Sequence, residues 1–284
     1  VLGLLAVGRP ADRAHSADDI TVVEDAARRA ALAIDNARIH SDRQQIAQAF
    51  QRALLPSALP TAKGISFAAE YVPASTGTDV GGDFYDVLAL GRDRWWMSVG
   101  DVCGKGAQAA AVTGLVRDVL RVMVRDERPL PRALELLNHT LLEAPDEGRY
   151  ATLATAIAER SGSEMAVTLY LSGHERPLLL HSDGKCEYVG TLGTAVGLLP
   201  KVNVHTAEVT LRPGDNLVFY TDGVTERRNG EDLFGHINIC NSLRPLAGYP
   251  AGVVAAKLRN AVLNFSDEAP RDDMAILVLG NDND

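Results

Sequence analysis

The sequence predicts an α+β fold, mostly antiparallel sheet behind one long helix, on three observations. Val23, Ala27, Ala30, Ile34 and Ala37 recur at alternating spacings of four and three, the pattern of a long helix with an apolar seam. From Ile65 onward the pattern changes to short runs rich in β-branched and aromatic residues, bounded by Gly, Asp, Asn and Pro, which read as strands joined by tight turns. Helical spacing returns after Gly106 and again from Leu233, so helices fall between groups of strands.

The 284 residues, 46% hydrophobic and 23% charged, suffice for a sizeable core in one or two domains. A formal net charge of −9 and a pI near 5.3, with no Lys/Arg cluster, argue against a nucleic-acid partner and suit a cationic metal. Cys103, Cys186 and Cys240 are odd in number, far apart and never in Cys-x-x-Cys. That speaks against a disulfide framework or a zinc site and for a reducing cytoplasm. No apolar run reaches membrane-spanning length and no signal peptide is present, so no membrane partner is expected. Val1 opens the chain without an initiator Met inside an apolar run, which reads as a fragment of a longer protein.

Taken in order, Leu2 to Val7 reads as a buried strand ended by Gly8-Arg9-Pro10. Ser16, with Asp18 and Asp19 behind it, caps the long helix, acidic residues near its start complementing the macrodipole. The seam fades at Ser41 and Gln44, and Ile46, Phe50, Ala53 and Leu54 resume an apolar face in a shifted register until Pro56 and Pro60 stop the helix. Such a face fits packing on its own domain and a dimer seam equally. Strands follow at Ser66 to Val72, Phe84 to Leu90 and Trp95 to Val99, then helices from Ala107 and from Leu130 to Glu143. Ala151 to Ala158, Met165 to Leu171, Leu178 to His181, Cys186 to Val189, Val204 to Val209 and Leu217 to Tyr220 continue the antiparallel part. Helices at about Leu233 to Leu243 and Ala251 to Asn264 precede a last strand, Met274 to Leu279, and a disordered tail, 281–284.

The chemistry concentrates between Val80 and Gly106. Phe84 to Leu90 and Trp95 to Val99 flank Gly91-Arg92-Asp93 as a hairpin, and a turn centred on Arg92 makes Asp83 face Asp101. Like charges opposed across an antiparallel pair destabilise it, so the two aspartates need full solvation or a cation between them. Gly81, Gly82, Gly100, Gly104 and Gly106 allow close approach of backbone to a ligand. Asp222 and Asp272-Asp273 also sit where apolar strands meet loops. Oxygen ligands without a matching His or Cys set select Mg²⁺ or Mn²⁺, and four carboxylate points are more than one hydrated ion needs, so two ions sharing Asp101 is the economical arrangement. Such a pair activates water and clamps a phosphoryl oxygen, which makes phosphate ester hydrolysis the reaction class.

These residues place the chain beside a known family. From about Ile46 to Gly280 it resembles the metal-dependent serine/threonine phosphatases of the PPM group, in the bacterial branch of stage II sporulation protein E and the sigma-factor regulatory phosphatases. The matching motifs are Leu54-Leu55-Pro56, Val80 to Asp86, Gly100 to Gly106, Ser172-Gly173-His174, Leu217 to Glu226 and Asp272-Asp273-Met274. The resemblance implies a β-sandwich flanked by helices, with Asp101 bridging two Mn²⁺ or Mg²⁺ ions and the Val102 carbonyl assisting. It implies Asp222 and Asp272 on one ion, Asp83 on the other directly or through water, and metal-bound hydroxide as the nucleophile. It also implies a phosphorylated protein substrate, an anti-sigma-factor antagonist. The opening stretch, Leu2 to Val7 and Ala27 to Arg38, resembles the last strand and helix of a GAF sensory domain. The expected organisation is thus 1–45 as the end of a GAF-like domain and linker helix, 46–280 as phosphatase, and 281–284 as tail, with a homodimer through the helix.

Cys103 stands where eukaryotic members of the group carry a His, so no protein general acid is assigned, and their phosphate-binding Arg has no clear counterpart. His174 reads as a hydrogen-bonded turn residue, Cys103 as a buried inert thiol, Asp86 as a support for the ligands, and Asp273 as the weaker ligand of its pair. At least one of Trp95 and Trp96 belongs to the core. The rival readings are a two-metal nucleotidyl cyclase, whose base-recognising Lys and transition-state Arg are not found, and a pseudophosphatase acting as a binding module.

Overall fold

Ser16 starts the long helix as expected. In the computed structural model, which describes residues 3–10, 12–74, 80–144 and 149–282, its hydroxyl accepts the Asp19 N–H at 3.1 Å, and the Asp19 carboxylate accepts the Ser16 N–H at 2.9 Å. Helix α1 (Ala17–Leu54) runs unbroken until Leu55 turns extended ahead of Pro56. Residues 3–10 form no strand, and Leu4 is 93% exposed: no neighbouring strand among the described residues pairs with this apolar run. Val1 and Leu2 lie outside the described residues.

The strands follow as β1 (Ile65–Val72), β2 (Phe84–Ala89) and β3 (Arg94–Val102), then α2 (Ala107–Arg125) and α3 (Leu130–Leu142). Next come β4 (Ala151–Ser161), β5 (Glu164–Ser172), β6 (Leu178–Leu180), β7 (Cys186–Tyr188), β8 (His205–Leu211) and β9 (Asn216–Tyr220). A single turn of helix, α4 (Asp222–Thr225), and a small hairpin, β10 (Arg228–Asn229) and β11 (Asp232–Leu233), lead into α5 (Gly235–Leu243), α6 (Ala251–Leu263) and β12 (Met274–Asn281). The short α4, β10 and β11 carry too few residues to show a period and were not anticipated.

Two five-stranded antiparallel sheets result, in the orders β1-β12-β9-β6-β7 and β2-β3-β4-β5-β8. Strand alternation builds the layers. On β3, Trp95, Met97 and Val99 enter the core between the sheets, against Phe219 and Leu277, while Trp96 points the other way into a second core under α2 and α3. Both tryptophans are therefore core, at 2% and 0% exposure. A third core, with Tyr220, Ile276 and Leu258, joins the other sheet to α5 and α6. Each fully buried side chain of this size contributes roughly 1.5–3 kcal/mol, which holds four layers in register.

Three further expectations are corrected. Cys186 on β7 and Cys240 on α5, 54 residues apart, are joined by a disulfide with Cα atoms 6.0 Å apart, because strand and helix pack side by side in the third core. The cysteines therefore no longer speak for a reducing compartment. Cys103 is half-buried rather than enclosed. Asn281, expected in a disordered tail, is the last residue of β12, and its side-chain amide donates to the carbonyls of Ser163 and Leu211 at 2.9 and 3.0 Å. Residues 283–284 lie outside the described residues.

Candidate metal centre

The register of β2 and β3 pairs Phe84 with Gly100 and Ala89 with Trp95, which centres the turn on Arg92 and brings Asp83 opposite Asp101. Both sheets present strand ends at this edge. Asp83 leads into β2 and Asp101 closes β3, while Asp222 follows β9 and Asp272-Asp273 precede its antiparallel neighbour β12. One carboxylate oxygen from each of Asp83, Asp101 and Asp222 lies within 4.8 Å of the others. The donor set is oxygen only and without a cation among its members, which fits a hard divalent ion.

The electrostatics agree. Burial raises the Asp83 carboxyl well above the ordinary carboxylate range, and the Asp101 charge raises it further. Burial pushes Asp101 up to about 6, helped by the charge of Asp222. Asp222 is raised by burial and then by Asp272. Like charges are thus concentrated in a desolvated place, where a divalent cation relieves their repulsion.

Backbone packing explains why the glycines are there. A Cβ at Gly82 would collide with the Val102 carbonyl oxygen and come within 2.7 Å of Asp101 Oδ1, so only glycine lets that carbonyl and that carboxylate meet beside the loop. The Val102 N–H donates to Gly82 O at 3.2 Å, and the Gly106 N–H donates to Val80 O at 2.8 Å, joining the two glycine motifs. Gly106 caps α2 at φ +87°, a left-handed conformation that disfavours other residues.

Asp272 stands apart from the close group. It is exposed, accepts the Asp273 N–H at 2.9 Å, and lines with Asp101 a cavity of about 280 Å³. Asp273 is buried and engaged, accepting the Ala74 N–H at 2.7 Å. Asp86 is fully buried on the opposite face of β2, in an ion pair with Arg121 of α2 at 3.0 Å, so it ties helix to sheet rather than touching the aspartate group. His174 is a buried turn residue whose Nδ1 lies 2.8 Å from Thr152 Oγ1, and burial drives its pKa down to about 4.

Sequence reasoning missed four side chains around the centre. Thr221 donates its hydroxyl to Asp83 Oδ2 at 2.7 Å. Gln51, from α1, hydrogen-bonds the loop that carries Asp83. Lys105 and Arg271 line the cavity beside Asp101 and Asp272. Lys105 and Thr221 lay inside motifs already singled out and Arg271 directly before one, whereas Gln51 is a polar residue of ordinary appearance in a helix.

The model of the family described as "Stage II sporulation protein E (SpoIIE)" matches residues 91–281. Protein IcfG of Synechocystis is 30% identical over 68% of this chain, which spans about a third, 34%, of IcfG. Phosphoserine phosphatase RsbU of Bacillus subtilis is 21% identical over 83% of this chain and 69% of its own length. Among solved structures, the RsbU and RsbW domains of Rv1364c from Mycobacterium tuberculosis superpose with a TM-score of 0.66 at 28% identity, covering 78% of this chain and 64% of that one. The catalytic domain of the serine/threonine phosphatase PstP in complex with two manganese ions has a TM-score of 0.52 at 18% identity, over 76% of this chain and 97% of that one, a likeness of fold. With two sheets, flanking helices and the aspartate edge in place, and the family model covering two thirds of its length, the chain belongs to the Stage II sporulation protein E family and has its PP2C-type phosphatase fold.

Proposed function

We propose that the chain is a metal-dependent phosphatase acting on phosphoserine or phosphothreonine of a protein, and the observation that carries this reading is the group formed by Asp83, Asp101 and Asp222. Asp83, Asp101, Asp222 and Asp272, with the Val102 carbonyl, would hold two Mn²⁺ or Mg²⁺ ions. The bound ions supply Lewis acidity, which activates water and neutralises the phosphoryl oxygens. The chain's own groups do the rest. Asp83 is held in one orientation by Thr221, and Lys105 and Arg271 give the otherwise acidic cavity the positive charge that draws in a phosphomonoester dianion. Arg271 is engaged with Glu268 in an exposed ion pair at 2.8 Å, a weak bond that a phosphate displaces readily.

The substrate we infer is a phosphorylated regulator of the anti-sigma-factor antagonist type. Support comes from the relatives: RsbU is named a phosphoserine phosphatase, and RsbU and RsbW domains occur together in Rv1364c. A homodimer through α1 belongs to the same proposal, supported by Ile34 of the apolar seam, which is 53% exposed. Among the described residues no helix is long and apolar enough to cross a membrane. The test is hydrolysis of p-nitrophenyl phosphate and of a phosphorylated antagonist with and without Mn²⁺. Turnover that survives exhaustive chelation, or no turnover at any Mn²⁺ concentration, rejects the reading.

A further inference from the structure

A single buried side chain of the N-terminal helix holds the backbone on both sides of Gly82. The side-chain oxygen of Gln51 accepts the Gly81 N–H at 2.8 Å, and its Nε2 donates to the Asp83 carbonyl at 3.3 Å. Gln51 is 7% exposed, and the neighbours on its face of α1, Ala47 and Leu54, pack with Val80 and Ala110. Phe50, the apolar residue expected to dock there, is instead 59% exposed. The helix end is fixed as well, because the Arg117 guanidinium of α2 donates to the carbonyls of Leu54 and Ala53 at 2.5 and 3.3 Å.

The loop needs such support. Gly81 and Gly82 bring no side chains to pack, and two successive glycines have wide backbone freedom. The carbonyl between the two Gln51 bonds, Gly82 O, is held separately by the Val102 N–H at 3.2 Å and the Thr113 hydroxyl at 3.3 Å. Every one of these bonds fixes backbone within a residue or two of Asp83 or Asp101. The primary amide of Gln offers an acceptor and a donor side by side, which is what a neighbouring N–H and C=O require.

We infer that Gln51 is a positioning residue for the metal centre: through Gly81 and Asp83 it fixes the backbone that aims the Asp83 carboxylate at Asp101. The inference rests on the metal-centre reading above. Loss of the clamp leaves Asp83 present but free to turn away, so the ions bind less tightly while the chemistry at saturating metal is kept.

Gln51→Met, which keeps the length and packing of the side chain but neither hydrogen bond, tests this by calorimetric titration of the full chain with Mn²⁺. The expected result is a five- to tenfold weaker Mn²⁺ Kd, a parallel rise in the Mn²⁺ needed for half-maximal p-nitrophenyl phosphate turnover, and kcat at saturating Mn²⁺ within twofold of wild type. In an Asp83→Asn background the same substitution is expected to change the Kd by less than twofold, because the group it positions is gone. A folded Gln51→Met protein with an unchanged Kd overturns the inference, and so does an equal loss in the Asp83→Asn background. Should Gln51→Met not fold, Gln51→Leu, which also lacks both hydrogen bonds, takes its place, and an unchanged Kd there overturns it equally. A wild type that binds Mn²⁺ yet hydrolyses no phosphomonoester rejects the phosphatase reading, while the titrations still decide the role of Gln51. A wild type that binds no Mn²⁺ rejects both.

Discussion

The hydroxyl of Thr221, at the end of one sheet, donates to Oδ2 of Asp83, at the start of the other, at 2.7 Å across a sequence separation of 138 residues. The same oxygen accepts the Ala275 N–H at 2.9 Å, so its one proton is directed at the carboxylate. The bond thus links β9, β12 and the Asp83 loop at the edge where the aspartates meet. Thr221→Val removes both hydrogen bonds without changing shape and is expected to destabilise the metal-free protein by roughly 2 kcal/mol, whereas Thr221→Ser keeps them and costs about 1 kcal/mol or less. Urea unfolding in chelator measures the difference, and equal losses in the two variants would show that the hydroxyl contributes nothing.

Asp101→Asn is expected to lower phosphatase turnover to that of the chelated wild type, because it removes a carboxylate from the group of Asp83, Asp101 and Asp222. It also removes a charge that is unfavourable where it sits: burial, helped by the charge of Asp222, pushes Asp101 up to about 6. The metal-free variant is therefore expected to gain about 1–2 kcal/mol at pH 7.5. A variant that is inactive and no more stable than wild type in chelator would mean that the opposed charges cost the fold nothing.

His174 sets a pH dependence of its own. Burial lowers its pKa to about 4 from 6.5, so the folded state binds fewer protons than the unfolded chain between those values. Its contribution is fully present above pH 6.5 and is lost as pH falls toward 4, amounting to roughly 3 kcal/mol over the window. Denaturant unfolding from pH 7 to pH 4.5 should therefore show a smaller acid loss in His174→Gln than in wild type. Superimposable pH profiles would reject this assignment.

The exposed face of α1 predicts self-association. Ile34→Asp places a charge in the Val23, Ala27, Ala30, Ile34, Ala37 seam and is expected to shift the protein toward monomer by light scattering, with a changed phosphatase rate or Mn²⁺ requirement. A monomeric variant with an unaltered rate and metal titration would make the helix a passive tether.

Much of the fold was legible because its signals are local. Strand periodicity locates the main strands of both sheets, and the turn at Arg92 sets the Asp83–Asp101 pairing. The edge aspartates were legible because each follows or precedes an apolar run, and Asp83, Asp101 and Asp222 also neighbour a glycine. What escaped depends on tertiary placement. The apolar run 3–8 has a strand's composition but no partner strand among the described residues, and Phe50 looked like an anchor while Gln51 carries the contact. Cys186 and Cys240 become neighbours only once β7 lies on α5. Asp272 resembled the other ligands in its setting, yet it remains exposed at the rim of the cavity.

The chain's two tryptophans are consecutive residues of β3, the strand that carries Asp101. Trp95 lies 6.1 Å from the Phe67 ring between the sheets, and the Trp96 indole donates to Thr155 Oγ1 at 2.7 Å on the helical side. Ultraviolet emission from this protein therefore originates at one point on the backbone and samples two separate interiors. Trp95→Phe leaves a fluorophore sensing the α2–α3 layer, and Trp96→Phe leaves one sensing the seam between the sheets. With these two variants, a stopped-flow trace of Mn²⁺ addition can tell on which side of β3 the structure responds first, without any attached dye.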